Sequence, residues 1–219
     1  NNQMKIAIMQ PYFLPYIGYF QLVKAVDLFV FYDDTTFIKG GWINRNYLST
    51  SHEDILFTIP IVSQSSFRLI KDTKIDWNSN RTRKFIKTLE QSCDKEEILS
   101  MVKSMMDKKP VTISELASES VKKVCHYLGI DTKFKFSSEE NYPKVSDKAE
   151  NLIEICKQEG ATHYINPIGG RELYSKKEFA EHGIQLNFIS TSPSASIINK
   201  LINDPINKIK RDLNNYELI

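Results

Sequence analysis

Lys5–Asp34 reads KIAIMQPYFLPYIGYFQLVKAVDLFVFYDD, and its pattern decides the fold class. Lys5–Gln10 is a short apolar run, the signature of a buried strand. Pro15 stands where a helix can begin, because its fixed φ and missing N–H suit a first turn. Tyr16–Val26 then reads as a helix, with Phe20, Leu22 and Val23 available to face inward. Leu28–Asp34 is a second near-continuous apolar run that ends in two carboxylates. A strand, a helix of about ten residues and another buried strand form a parallel crossover unit. The expected class is therefore α/β, with a mainly parallel sheet and helices on both faces.

The rest of the chain extends this pattern. Phe37–Thr50 reads as a turn-containing loop, and Ile55–Val62 as a third strand. Helices are expected from about Asn78–Asn80 onward, over Lys95–Lys109, and over Thr112–Leu128. The last carries the capping pattern TISE at Thr112–Glu115 and a glycine exit at Gly129. Thr132–Ser137 alternates like a strand. The next helix is bracketed by Ser146 and Gly160. Thr162–Asn166 and Ile184–Ser190 are the last strands, with a short helix at Ser175–Glu181 between them and a helical tail from Ser194. The whole reads as one α/β domain over residues 4–219, with 78–129 a helix-rich insertion or subdomain.

Composition bounds the function classes. A chain of 219 residues buries roughly 70% of its unfolded surface, so it needs neither metal nor disulfide to fold. A net charge of +2 argues against a nucleic-acid binder. Cys93, Cys125 and Cys156 match neither a zinc spacing nor a disulfide framework and read as reduced thiols. No apolar run reaches about 18 residues, and no leader pattern precedes Met4, so the expectation is a cytoplasmic protein with no membrane span. No metal site is expected.

Four stretches hold candidate chemistry. In open α/β sheets ligands bind beyond the carboxyl ends of the strands, which is where Gln10, Tyr12, Tyr16, Gly18 and Tyr19 fall. Gly18, in the first helical turn, lets a ligand approach the backbone; the other reading of these rings is a hydrophobic cap. Asp33 and Asp34 end the second strand on the same edge. Lys39, Trp42, Asn44, Arg45 and Asn46 follow in a glycine-hinged loop. Carboxylates and amides suit sugar hydroxyls, arginine takes phosphate in a fork, and tryptophan stacks on a ring face. The alternative is a surface loop with Arg45 paired to Asp33 or Asp34.

In the third stretch, Asn166, Gly169, Gly170 and Arg171 follow a strand, and their amides can cradle an anion or oxyanion; His163 precedes them as a second candidate base. In the fourth, Phe188–Ser196 (FISTSPSAS) is a hydroxyl-rich strand end, equally a phosphate site or a capping stretch. The lysine-rich helices are solvated faces or a dock for an acidic carrier protein.

Together IAIMQPYFLPYIGYFQLV, FVFYDDTTFIKGGWINRN, ISELASESVKKVCHYLGI, YINPIGGRELYSKKEFAEHGIQLNFI and ASIINKLIN resemble the WbqC-like family, in order and over nearly the whole chain. Ser92–Lys109 is less similar; an aromatic APYF-like element is usual there. The resemblance implies a bacterial protein of O-antigen and other surface-polysaccharide biosynthesis, lipopolysaccharide included. The implied role is N-acyl or aminoacyl transfer to an amino sugar carried on a nucleotide. Asp33, Asp34 or His163 would take the amine proton, Gly169, Gly170 and Asn166 would steady the oxyanion, and Arg45 and Lys39 would hold phosphate.

The donor would be coenzyme A or an acyl or peptidyl carrier-protein thioester, with no tightly bound cofactor. A shorter similarity sets Tyr16–Tyr19 (YIGY) where nucleotidylyltransferases and class I synthetases carry H-I-G-H, and Ile189–Ser192 at their second phosphate element. It implies ATP use instead, although tyrosine cannot act as an imidazolium near neutral pH. A non-catalytic scaffold is the third possibility. If Asp33 and Arg45 are site groups, Asp33→Asn and Arg45→Ala remove activity and leave the melting temperature within a few degrees.

Overall fold

The structure, a computed structural model, describes residues 2–63 and 67–219. Strand β1 (Lys5–Met9), helix α1 (Ile17–Ala25) and strand β2 (Leu28–Phe31) form the expected crossover, with β1 and β2 parallel and Ile6 opposite Leu28. The central sheet also takes β5 (Lys133–Phe136), β6 (His163–Pro167), β7 (Gln185–Ser190) and β8 (Glu217–Leu218). Its order is β5-β2-β1-β6-β7-β8. Every pairing is parallel except β7 with β8. The remaining strands, β3 (Arg45–Ser49) and β4 (Asp54–Thr58), make a separate antiparallel hairpin.

The remaining helices are α2 (Asn80–Ser92), α3 (Glu96–Asp107), α4 (Ile113–Leu128), α5 (Lys148–Gln158), α6 (Lys176–Ala180), α7 (Ile197–Asn203) and α8 (Ile206–Asp212). Strands buried on both sides send alternate residues to opposite faces. Ile6, Ile8, Val30, Tyr164 and Phe188 form one core with Leu152, Ile153 and Cys156 of α5 and Phe179 of α6. Ala7, Phe29, Phe31, Ile165 and Ile189 form the other, with α1, α4, α7 and α8. That second core also takes Phe85 and Leu89 of α2, Ile98 and Val102 of α3, and Leu48 and Phe57 of the hairpin. The helices of 78–129 and the hairpin therefore share one core with the sheet.

The differences from expectation have local causes. The polar stretch RNYLS, expected as loop, is strand β3, because an antiparallel hairpin needs only one apolar face; Asn46 and Leu48 are buried and Tyr47 and Ser49 are not. Asp147, rather than Ser146, caps α5, with Oδ1 accepting the Glu150 N–H at 2.9 Å. Thr112 caps α4 as expected, accepting the Glu115 N–H. Gly129 takes the left-handed conformation at φ +73° that closes that helix. The two-residue β8 had no apolar run to announce it.

Candidate functional site

The site follows from strand order. The chain winds from β1 outward to β2 and β5 on one side, then returns to β6 and winds outward to β7 on the other. Between β1 and β6 the direction of winding reverses, and helices leave opposite faces. In open α/β sheets such a reversal is where a ligand crevice forms, beyond the strands' carboxyl ends.

The loop after β1 forms one wall, held in a costly shape. Leu14 sits at φ +43°, a left-handed conformation that costs a bulky residue about 1–3 kcal/mol and persists only when its surroundings impose it. Here they do. The Leu14 N–H donates to Ser120 Oγ of α4 at 2.9 Å, and Ser196 Oγ donates to the Leu14 carbonyl at 2.6 Å. The Ile197 N–H donates to the Pro15 carbonyl at 2.7 Å. The segment after β7 is thereby laced to the loop after β1. Gly18 lies where the two meet, and a Cβ there would come within 2.3 Å of the Tyr16 ring and 2.5 Å of Thr191 Cγ2. Only glycine fits.

The tyrosines divide by role. Tyr19 is 1% exposed and donates its hydroxyl to the Gln10 carbonyl at 2.7 Å, so it pins the strand end and faces no ligand. Tyr12 and Tyr16 are half-buried and keep their hydroxyls free of partners among the described residues. Burial raises the pKa of both, so they act as neutral hydrogen-bonding groups. Gln10, Thr191 and Ser192 add further neutral polar groups.

The end of β6 supplies the other wall. Asn166 donates from Nδ2 to the Tyr164 hydroxyl at 3.0 Å. A Cβ on Gly170 would lie 2.0 Å from Asn166 Oδ1, so the glycine is required for that amide to seat. Gly169 and Arg171 are exposed beside it. His163, by contrast, is the first residue of β6, about 10 Å of strand away from Asn166 at 3.3 Å per residue. It lies at the amino-terminal edge, its Nδ1 2.7 Å from Thr162 Oγ1, and is not a group of the crevice.

Asp33 and Asp34 end β2, but their environments differ. Asp33 is 4% exposed and accepts from Ser138 Oγ at 2.6 Å, the Ser138 N–H at 2.9 Å and Ser137 Oγ at 3.2 Å. It caps the single 3₁₀ turn after β5. Asp34 accepts from Ser137 Oγ at 2.5 Å and borders a cavity of about 180 Å³ with Tyr32, Tyr142 and Asn151. Lys144 stands 3.9 Å away.

Neither carboxylate meets Arg45. That guanidinium donates to the carbonyls of Gly40 and Gly41 and lies 5.5 Å from the Trp42 ring centre. Asn44 is spent on the hairpin, Nδ2 to the Ile59 carbonyl at 2.9 Å, and Asn46 Oδ1 accepts the Tyr47 N–H. Lys39, Asn44 and Arg45 border a separate cavity under the hairpin. Cys125 and Cys156 are buried, and burial pushes each thiol up to about 12, which denies them thiolate character. Among the described residues no group of three or more His, Cys, Asp or Glu side chains could hold a metal ion. No described helix is long and apolar enough to cross a membrane.

Sequence reasoning did not find Ser120, Ser137 or Ser138, each more than 100 positions from the residue it holds. A lone serine inside a helix or after a strand carries no local signal. Thr191 and Ser196 lay within the hydroxyl-rich stretch already singled out.

A sheet wound both ways from β1, with a braced loop at the reversal, defines a doubly wound α/β protein whose switch point is the candidate site. The model of the WbqC-like protein family matches residues 10–196, and the chain belongs to that family. It is also similar to the uncharacterized protein Rv1507c of Mycobacterium tuberculosis, with 29% identity over 189 residues, 84% of this chain and 81% of that protein. No solved structure matches.

Proposed function

We propose that the protein is a transferase that moves an acyl or aminoacyl group onto the amine of a nucleotide-linked sugar. The observation that carries the reading is the strained and doubly braced loop at the switch point between β1 and β6. Strain held in place by surrounding hydrogen bonds is characteristic of binding sites. The neutral hydroxyls and amides at the carboxyl ends of β1, β6 and β7 (Tyr12, Tyr16, Asn166, Thr191) suit a sugar, whose groups both donate and accept.

In the reaction, the sugar amine attacks the acyl carbonyl carbon, a C–N bond forms, and the bond to the donor's leaving group breaks. Asp34 is the residue that takes the amine proton, since Asp33 is buried and held by the Ser138 N–H and hydroxyl, whereas Asp34 is half-buried and borders open space. Biosynthesis of O-antigen or another surface polysaccharide is the setting that family membership suggests. The burial of Tyr19 weighs against ATP use at YIGY, because the second of its two tyrosines faces the core.

Calorimetric titration with UDP- and dTDP-linked 4-amino sugars and with ATP tests the binding half. The expected outcome is saturable binding of an amino sugar and none of ATP. Mass spectrometry after addition of acyl thioesters tests the transfer half. Asp34→Asn is expected to lower turnover about 100-fold or more while sugar affinity stays within a few-fold. Absence of nucleotide-sugar binding at millimolar concentration sinks the reading.

A further inference from the structure

The hairpin β3–β4 and the first half of α2 enclose a cavity of about 660 Å³ on which the crevice makes no demand. Its floor is apolar, with Leu48, Phe57 and Phe85 buried in the core. Four cations, Lys39, Arg45, Arg81 and Lys84, line it, and no aspartate or glutamate does. Arg45 is bound to two neutral carbonyls. The side chains of Lys39, Arg81 and Lys84 have no hydrogen-bond or ion-pair partner among the described residues. Four like charges converging on one apolar pocket repel one another until an anion enters.

The chemistry of the occupant follows from the lining. Several cations call for more than one negative charge, and the unpartnered guanidinium fork of Arg81 matches phosphate oxygens. A phosphate alone would leave the apolar floor wet and most of a ligand-sized volume unfilled. A pocket confined between a hairpin and one helix favours a small molecule over a nucleic-acid strand, which needs a continuous basic track.

We infer that this cavity binds a phosphorylated ligand with an uncharged, largely apolar arm, the class that includes acyl thioesters of coenzyme A. The inference does not depend on what the crevice does. If it also holds for the transferase, the cavity is where the donor is retained.

The test is calorimetric titration of the whole protein with acetyl-coenzyme A, with pantetheine (the arm without phosphate) and with pyrophosphate (phosphate without the arm). Acetyl-coenzyme A is expected to bind at least about tenfold more tightly than either fragment. The double variant Arg81→Ala/Lys84→Ala changes two exposed positions of α2 to the best helix former, so it should keep its melting temperature. It is expected to lose about tenfold or more in acetyl-coenzyme A affinity and nothing in pantetheine affinity. Raised salt should weaken the wild type more than the variant.

Failure of acetyl-coenzyme A to bind at millimolar concentration overturns the inference, as does a variant that binds it unchanged. Pyrophosphate binding as tightly as the thioester overturns the apolar arm. If the thioester binds through Arg81 and Lys84 but no nucleotide sugar is acylated, the transferase reading alone falls.

Discussion

Asp33 shows how a residue's chemistry is set by what it touches rather than by its type. At the end of a strand on the ligand edge, next to a second aspartate, it reads as a catalytic base. Folded, its two oxygens accept three hydrogen bonds from Ser137 and Ser138, and water is excluded. The expectation that Asp33→Asn leaves the melting temperature almost unchanged therefore does not carry over. An amide offers one acceptor oxygen where the carboxylate has two and turns N–H donors toward other donors. Losing a buried hydrogen bond to a charged group costs about 1.5–3 kcal/mol. For a chain of this size that predicts a fall of roughly 3–12 °C, measured by calorimetry. Arg45→Ala, which removes bonds to half-exposed loop carbonyls, should move it far less. An Asp33→Asn protein that melts with the wild type would return Asp33 to the list of candidate bases. The sequence could not show this, because the partners lie 104 and 105 positions away.

At the scale of elements, the strands and helices of the parallel core were legible because each carries its own signal: continuous apolar runs in β1 and β2, a cap and a glycine stop on α4. The hairpin was half legible, since β3 alternates over only five residues. The shape of the loop between β1 and α1 was not legible. Its prolines and Gly18 mark a turn, but the φ of Leu14 is imposed by Ser120 and Ser196, from elements far along the chain.

Ser120 is fully buried and also donates to the Ala117 carbonyl at 2.7 Å, so its hydroxyl joins the loop to α4. Ser120→Ala would leave the Leu14 N–H without its acceptor and let the strained residue relax. The expected cost is about 1–3 kcal/mol, seen as a lower urea midpoint. Ligand affinity at the crevice should fall with it. A variant that loses stability but keeps full crevice affinity would mean that the loop's shape serves only the fold.

For the whole molecule, the question is whether residues 78–129 form a unit of their own. Their helical composition suggests an insertion, and sequence alone cannot say where an insertion buries its apolar face. The core answers it. Phe13, from the loop after β1, packs its ring against Phe57 of the hairpin and Phe85 of α2, at centroid distances of 6.0 and 5.8 Å. Val121 and Cys125 of α4 belong to the same core as Phe29 and Phe31 of the sheet. Burial of one such phenyl ring contributes about 1.5–3 kcal/mol, so neither part can expose this seam cheaply. Cooperative unfolding follows when every part shares one core. Urea unfolding is therefore expected to be a single transition. Circular dichroism, which follows all the helices, should coincide with fluorescence from Trp42 and Trp77, which report on the hairpin loop and the approach to α2. Two separated transitions, with tryptophan fluorescence changing first, would show that hairpin and helices open while the sheet stays folded. The braced crevice and the cationic cavity would then belong to units of different stability.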